Sequence, residues 1–226
     1  MFFHLTGNGE ICVGRNLEQD AIQMAEKQKT ILETAFRIFS ERTIESVTMT
    51  DIAKESGIGI ATLYRYYSTK QKLVMAVNGE VWKKYSASWE FSTGPERYAN
   101  RTAKEQFEYF LDSFIELYRK HSDILRFNHF FNVYIQNEDV SEDEMKSYIN
   151  FIYSLRERFE HMYQKGQKDR TMCCDVPAEK IFSLSLHLML AAVTRYAVGL
   201  VYDEDCDPEE ELLIQKKMLM QEFTAS

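Results

Sequence analysis

The run Thr48-Met49-Thr50-Asp51-Ile52-Ala53-Lys54-Glu55-Ser56-Gly57-Ile58-Gly59-Ile60-Ala61-Thr62-Leu63-Tyr64-Arg65-Tyr66-Tyr67-Ser68-Thr69-Lys70-Gln71-Lys72 allows few folds. It reads as a short helix, a glycine turn, a second short helix and the start of a third. Thr48 sits at an N-cap position with Asp51 three residues on, the spacing of a capping box. Ala53 is small enough for a crossing helix to approach closely. Gly57 stands where the chain must turn and takes positive φ without steric penalty. Ile58, Leu63 and Tyr67 are spaced to face inward. Thr62, Arg65 and Tyr66 fall at i, i+3 and i+4, so they share an outward face without a carboxylate. The pattern is a helix-turn-helix, a motif that lays its second helix in the major groove of DNA.

Residues 31–74 resemble the DNA-binding domain of the tetracycline-repressor (TetR) family of bacterial transcription regulators. Ile31-Leu32-Glu33-Thr34-Ala35-Phe36-Arg37-Ile38-Phe39 resembles the family's first helix. Asp51-Ile52-Ala53 through Gly57-Ile58 resembles its second helix and turn. Thr62-Leu63-Tyr64-Arg65-Tyr66-Tyr67, followed by Lys70, resembles its recognition helix and the start of its fourth. Two positions depart from the pattern. Thr43 stands where the family usually has Gly, so the first helix must end without the easy left-handed residue. Gly59 stands where the family usually has Ser or Thr. That removes a side-chain cap and a phosphate-facing hydroxyl, although Gly is a tolerated N-cap.

Charge is distributed in keeping with this. The net charge of −8 is unusual for a DNA binder, but residues 1–75 carry nine bases and nine acids, so the whole acidic excess lies in residues 76–226. Within residues 54–72, Lys54, Arg65, Lys70 and Lys72 face a single acid, Glu55. Positive charge is therefore local to the segment that would meet phosphates. With few phosphates neutralised, non-specific DNA affinity should be modest.

The remaining chain reads as helical, and the fold class expected is all-α. A three-helix helix-turn-helix domain over residues 24–72 precedes a helical effector-binding and dimerisation domain over residues 73–226. Residues 1–23 fall outside the pattern and are a leader or extension. Phe2–Thr6 and Ile11–Val13 flank Gly7-Asn8-Gly9 as a weak hairpin, and Met24 stands as a natural start. A helix from Lys70 passes Trp82, Tyr85 and Trp89 and breaks at Thr93-Gly94-Pro95. Residues 102–121 place Phe107, Phe110, Leu111, Phe114 and Tyr118 at helical spacing. A helix over 123–136 follows. Ser141 and Glu144 form a capping box for a long helix ending near Gly166. Pro177 opens an almost uniformly apolar helix to about Tyr202. Asp207-Pro208-Glu209-Glu210-Glu211 supplies a cap, a first-turn proline and acids at the positive dipole end of a helix reaching about Phe223.

Several function classes are excluded. The longest uncharged stretch, Ile181 to Thr194, is too short for a membrane span. Met1-Phe2-Phe3-His4 lacks the basic start and apolar run of a signal peptide. Cys12, Cys173, Cys174 and Cys206 form no C-x-x-C and read as reduced thiols in a cytoplasm. No phosphate loop, dinucleotide fingerprint, zinc-protease or nucleophile-elbow motif is present, so no enzyme, cofactor or metal is expected. Vicinal Cys173-Cys174 leave open a redox-sensing role against an inert connection.

Candidate site residues follow. In the recognition segment, Arg65 suits guanine O6 and N7, and Ile60, Ala61 and Thr62 offer methyls to thymine. Tyr64 and Tyr66 can donate hydroxyls to phosphates. Lys70, at a helix N-terminus, adds charge and backbone donors, with Thr48, Thr50 and the Gly59 backbone beside it. The resemblance implies the phosphate role for Tyr64 and Lys70. It also implies a small-molecule pocket in the second domain. Phe107, Phe110, Phe114, Phe127, Phe130, Phe131, Tyr134, Phe151 and Phe159 are core residues or the walls of an apolar cavity, with His129, Asn132, Gln136 and Arg195 as polar anchors. The helix from Pro177 is apolar nearly all round and must be covered on two sides. Small Ala191, Ala192, Ala197 and Gly199 suit a partner helix. Leu188, Ala191, Ala192, Arg195, Leu213 and Met220 are the candidate seam of a homodimer.

The reading is a cytoplasmic, homodimeric, ligand-responsive regulator of a pseudo-palindromic double-stranded DNA operator. Its expected action is that of a repressor released by a small apolar or aromatic effector. The alternative, raised by Gly59, is a helical ligand- or protein-binding dimer whose helix-turn-helix no longer binds an operator.

Overall fold

The computed structural model describes residues 17–93, 98–173, 175–201 and 207–225, without the side chains of residues 17, 87–93, 142, 144 and 147. Among these residues the fold is all helical: α1 (Leu17–Glu41), α2 (Met49–Glu55), α3 (Ile60–Tyr66), α4 (Lys70–Thr93), α5 (Ala103–Lys120), α6 (Ser122–Asn137), α7 (Glu142–Asp169), α8 (Ala178–Ala197) and α9 (Pro208–Phe223). The expected Phe2–Val13 hairpin, the Glu144 side chain, Gly94-Pro95, Tyr202, Cys12, Cys174 and Cys206 lie outside the described residues.

The helix ends follow local chemistry. Thr48 and Asp51 form the expected capping box, with Asp51 N–H donating to Thr48 Oγ1 at 3.1 Å and Thr48 N–H to Asp51 Oδ2 at 2.8 Å. Thr102 and Glu105 form a second box that starts α5. Asp207 caps α9 through Oδ1, 2.9 Å from Glu209 N and 3.3 Å from Glu210 N. Gly57 (φ 66) closes α2, where Ile58 N–H reaches Ala53 O and Gly57 N–H reaches Lys54 O. Gly199 (φ 75) closes α8 by the same pair of bonds, Leu200 to Arg195 and Gly199 to Tyr196.

Three expectations change. α1 begins at Leu17 rather than directly after Met24, because residues 17–30 continue its helical register without a breaker. α8 ends at Ala197 rather than near Tyr202, and Gly199 is its C-terminal cap rather than a small residue for a partner helix. α7 runs past Gly166 to Asp169 and is followed by Arg170 at φ 58. Gly166 is needed for close approach instead. A Cβ there would lie 2.2 Å from Met172 Cγ and 3.1 Å from Ala103 Cβ. Met172 forms a lone bridge with Thr224, pinning the end of α9 beside α5 and α7.

Two domains share α4. Its first residues adjoin α3, and its 24 residues extend roughly 36 Å into the second domain, at about 1.5 Å per residue. Within that domain α8 is central, packed by α5, α6, α7 and α9. Ile181, Phe182, Ser185, Met189 and Val193 form its inward stripe. The domains meet where α1 packs on α6. Phe127 sits 5.6 Å edge-on from Phe36 and 6.5 Å from Phe39, and Arg126 Nε donates to Ser40 O at 3.2 Å.

Candidate nucleic-acid interface and effector cavity

α2 and α3 are held by a small core. Ile52, Ala53 and Leu63 are buried against Ile31, Ala35, Ile38 and Phe39 of α1. Arg37 Nη2 pairs with Glu55 Oε2 at 2.8 Å and ties α1 to α2 on the surface. Gly59 begins α3 in extended conformation with no side-chain cap, and its carbonyl accepts from Thr62 N–H at 2.9 Å and Leu63 N–H at 3.1 Å. The second helix of the motif therefore forms without the missing hydroxyl.

The outward face of α3 differs from the expected trio. Ile60, Ala61, Tyr64 and Arg65 are exposed, and Thr62 is half-buried on their flank. Tyr66 turns toward α1, its hydroxyl 3.5 Å from the Met24 carbonyl oxygen. Tyr66 thus lies against the turn of α1 that carries Met24. Tyr67 is buried next to it and accepts from Gln28 Nε2 at 3.3 Å. Thr50 is exposed, whereas the Thr48 hydroxyl donates to Asp51 Oδ2 at 2.6 Å within the capping box. That hydroxyl and the Thr48 N–H hold the Asp51 carboxyl below the usual carboxylate range.

Lys70 opens α4 as expected, but its side chain does not point outward. Nζ donates to the Glu45 carbonyl at 3.3 Å and lies 5.9 Å from the Tyr134 ring centroid. Burial lowers the Lys70 pKa from its ordinary value. Lys54 and Lys72 are exposed, and Lys72 N–H bonds Thr69 Oγ1 at 3.2 Å in the first turn of α4. Lys72 is thus an outward cation at this helix start, beyond the phosphate candidates that the sequence points to. Its spacing beside Lys70 was the available signal.

In the second domain a cavity of about 70 Å3 lies where α4, α5, α6, α7 and α8 converge. Phe110, Phe114 and Phe151 line it, as the sequence suggested. Trp82, Tyr85, Asn128, Tyr148 and Arg158 line it as well and were not anticipated. Trp82 and Tyr85 carried a signal, since α4 had to enter the second domain to bury them. Trp82 stacks on Phe151 at 5.0 Å. Burial pushes the Tyr148 and Tyr85 phenols up.

The other expected pocket residues go elsewhere. Phe107 is core, against Phe110, Phe159 and Phe223. Phe127 belongs to the domain junction and Phe131 packs on Tyr148. Tyr134 receives Lys70, and burial pushes its phenol up to about 12. Phe130 lies beside the His129 ring, and Gln136 is exposed. His129, Asn132 and Arg195 line a separate open groove of about 460 Å3 between α6 and α8, with His187 and Thr194. These residues are divided because an α-helix turns successive side chains by 100°, so one aromatic-rich helix serves several faces.

An apolar surface runs along α8 and α9. Leu184 (45% exposed), Leu188 (48%), Leu213 (45%), Ile214 (50%) and Met218 (62%) lie open to solvent, and Ala191 and Arg195 are exposed on the same side of α8. Ala192 and Met220, also expected at the seam, are instead partly buried against the protomer's own core. Among the described residues no helix is long and apolar enough to cross a membrane, and no cluster of metal-ligating side chains occurs.

Residues 31–77 match the model of the bacterial regulatory proteins, tetR family. An HTH-type transcriptional regulator of Staphylococcus aureus (strain bovine RF122 / ET3-1) is 41% identical over 61 residues, 27% of this chain and 31% of that protein. The match spans about a third of that relative's length. A transcriptional regulator of Saccharomonospora viridis, solved in complex with choline, superposes with TM-score 0.73 at 16% identity, covering 89% of this chain and 100% of that one. A TetR transcription regulator of Haloarcula marismortui ATCC 43049 superposes with TM-score 0.69 at 19% identity, over 89% and 100%. FadR of Bacillus subtilis, in complex with stearoyl-CoA, gives TM-score 0.64 at 13% identity, over 85% and 97%. The helix-turn-helix carries the sequence likeness and the described chain carries the fold likeness, so residues 31–77 form a DNA-binding domain of the tetR-family type on a chain with the fold of TetR regulators.

Proposed function

We propose that the protein is a homodimeric repressor that leaves a pseudo-palindromic operator when a small, largely apolar effector enters the cavity between α4 and α8. The observation that carries this reading is the course of α4. One helix starts beside the recognition helix at Lys70 and lines the cavity with Trp82 and Tyr85. A ligand that displaces either ring must move α4 or strain its packing on α1. Tyr85 also borders a groove of about 290 Å3 between α1, α4 and the α5–α6 junction, where its ring meets His121 edge-on at 5.6 Å. The domain junction is therefore one side chain away from the cavity.

The dimer is supported by the exposed apolar side chains of α8 and α9, which a partner copy would bury by the two-fold rule for homo-oligomers. Two copies related by a dyad read inverted half-sites. Ligand complexes of the Saccharomonospora viridis and Bacillus subtilis neighbours support a ligand site in this fold. The alternative of a degenerate motif is disfavoured by the α3 geometry, since Gly59 still opens a regular helix with Arg65 outward.

The test is operator selection from random duplex DNA with the full chain, followed by a mobility shift. Recovery of an inverted repeat bound by a dimer supports the proposal. Enrichment of no sequence over the input pool would reject operator binding.

A further inference from the structure

Two buried polar atoms among the residues around the aromatic cavity have no partner. Asn128 is 2% exposed and its Oδ1 accepts no hydrogen bond; Trp82 is 8% exposed and its Nε1–H donates none. Both residues line the cavity, from α6 and α4 respectively. A buried acceptor and a buried donor left unpaired each carry a desolvation penalty, and native proteins rarely keep two such groups beside one void. The remaining wall is chiefly apolar and aromatic, with Phe110, Phe114, Tyr148 and Phe151 around Trp82. No carboxylate lines it, and its one charged residue, Arg158, is exposed.

Building on the effector reading above, we infer that the effector is an uncharged, single-ring aromatic molecule. Its polar edge carries a hydrogen-bond acceptor for Trp82 Nε1–H and a donor for Asn128 Oδ1, as an aromatic carboxamide does. The ring preference follows from the aromatic wall in which Trp82 and Phe151 stack, and the free volume of about 70 Å3, less than one benzene ring, limits the effector to a single ring that enters as the walls yield. The neutral requirement follows from the apolar lining. A cation there would find no carboxylate, and an anion would leave Asn128 Oδ1 facing more negative charge. Burial raises the Tyr148 and Tyr85 phenols above their ordinary pKa, in keeping with a low-dielectric wall.

Calorimetric titration of the full chain with four probes of similar size tests the inference: benzamide, benzoate, benzyltrimethylammonium and ethylbenzene. Benzamide should bind about tenfold tighter than each of the others, because only it satisfies both orphaned atoms. Asn128→Leu should weaken benzamide about tenfold and leave ethylbenzene unchanged, without lowering the melting temperature of the ligand-free protein. Trp82→Phe, which keeps a ring, should give the same selective loss. Tightest binding of benzoate would overturn the class in favour of a carboxylate held by Arg158. Tightest binding of the ammonium would overturn it in favour of a cation in an aromatic cage. Equal binding of ethylbenzene would mean that water alone satisfies the two atoms. Each of those outcomes leaves the cavity standing as the effector site. Binding of no probe at millimolar concentration would remove both the class and the site.

Discussion

Lys70 Nζ rests 5.9 Å from the centre of the Tyr134 ring and 3.3 Å from the Glu45 carbonyl oxygen. The contact joins the first residue of α4 to α6 and to the turn before α2. An ammonium so placed fastens the DNA-binding unit to the second domain, and its backbone N–H remains in the first turn of α4.

Lys70→Ala should therefore cost stability, on the order of 0.5–1 kcal/mol from the lost cation–ring contact. The slope of log affinity against log salt for operator DNA should stay unchanged, since no phosphate contact is lost. Urea unfolding and a salt series on one preparation measure both. A slope lower by about one would show that Nζ swings out to phosphate when DNA binds.

Arg65 is exposed on α3 with no acid beside it on that helix. Arg65→Ala should relax base preference at one position in each half-site, by about 1–3 kcal/mol, without changing the fold. Affinities for a set of single-base operator variants check this. An equal loss for every variant would assign Arg65 to phosphate.

Ala191 lies exposed on α8, on the side of the helix that carries Leu188 and Arg195. Ala191→Glu should dissociate the dimer, because an unpaired carboxylate would be buried at the seam, at a cost on the order of 3 kcal/mol. Helical content should be kept, since the position is open to solvent in the single chain. Sedimentation mass and circular dichroism report the two quantities together. A dimeric variant would move the seam away from Ala191. Ala192 makes a poorer probe because it packs on its own protomer.

Gly166 is the point where α7 passes closest to Met172 and Ala103. Gly166→Ala should destabilise the chain by about 1–3 kcal/mol, despite the better helix propensity of alanine, because the new methyl overlaps Met172 Cγ and Cβ. The melting temperature should fall accordingly. A rise would mean that Met172 re-packs freely and the bridge to Thr224 does not hold it.

What the sequence by itself determined is local. The Thr48–Asp51 box, the left-handed Gly57, the Asp207-Pro208 start and the helical periodicity of residues 102–121 depend on neighbours within a turn or two, so they are legible from spacing alone. The helix-turn-helix is legible for the same reason. What only the tertiary structure decided is which face of each helix meets which neighbour. The i+4 relation of Tyr66 to Thr62 predicts an outward side chain, whereas the packed chain lays it toward the α1 turn at Met24. Lys70 heads α4 within the recognition segment, yet Tyr134, sixty-four positions away in the chain, supplies the ring against which its ammonium rests. Phe110 and Phe127 look alike in sequence, yet one lines the cavity and the other joins the domains. Burial of an aromatic ring is favourable against any apolar surface, so the hydrophobic effect carries no address. The address comes from the crossing of α4 with α6 and α7, and of α8 with α5, α6, α7 and α9, which is a property of the packed whole.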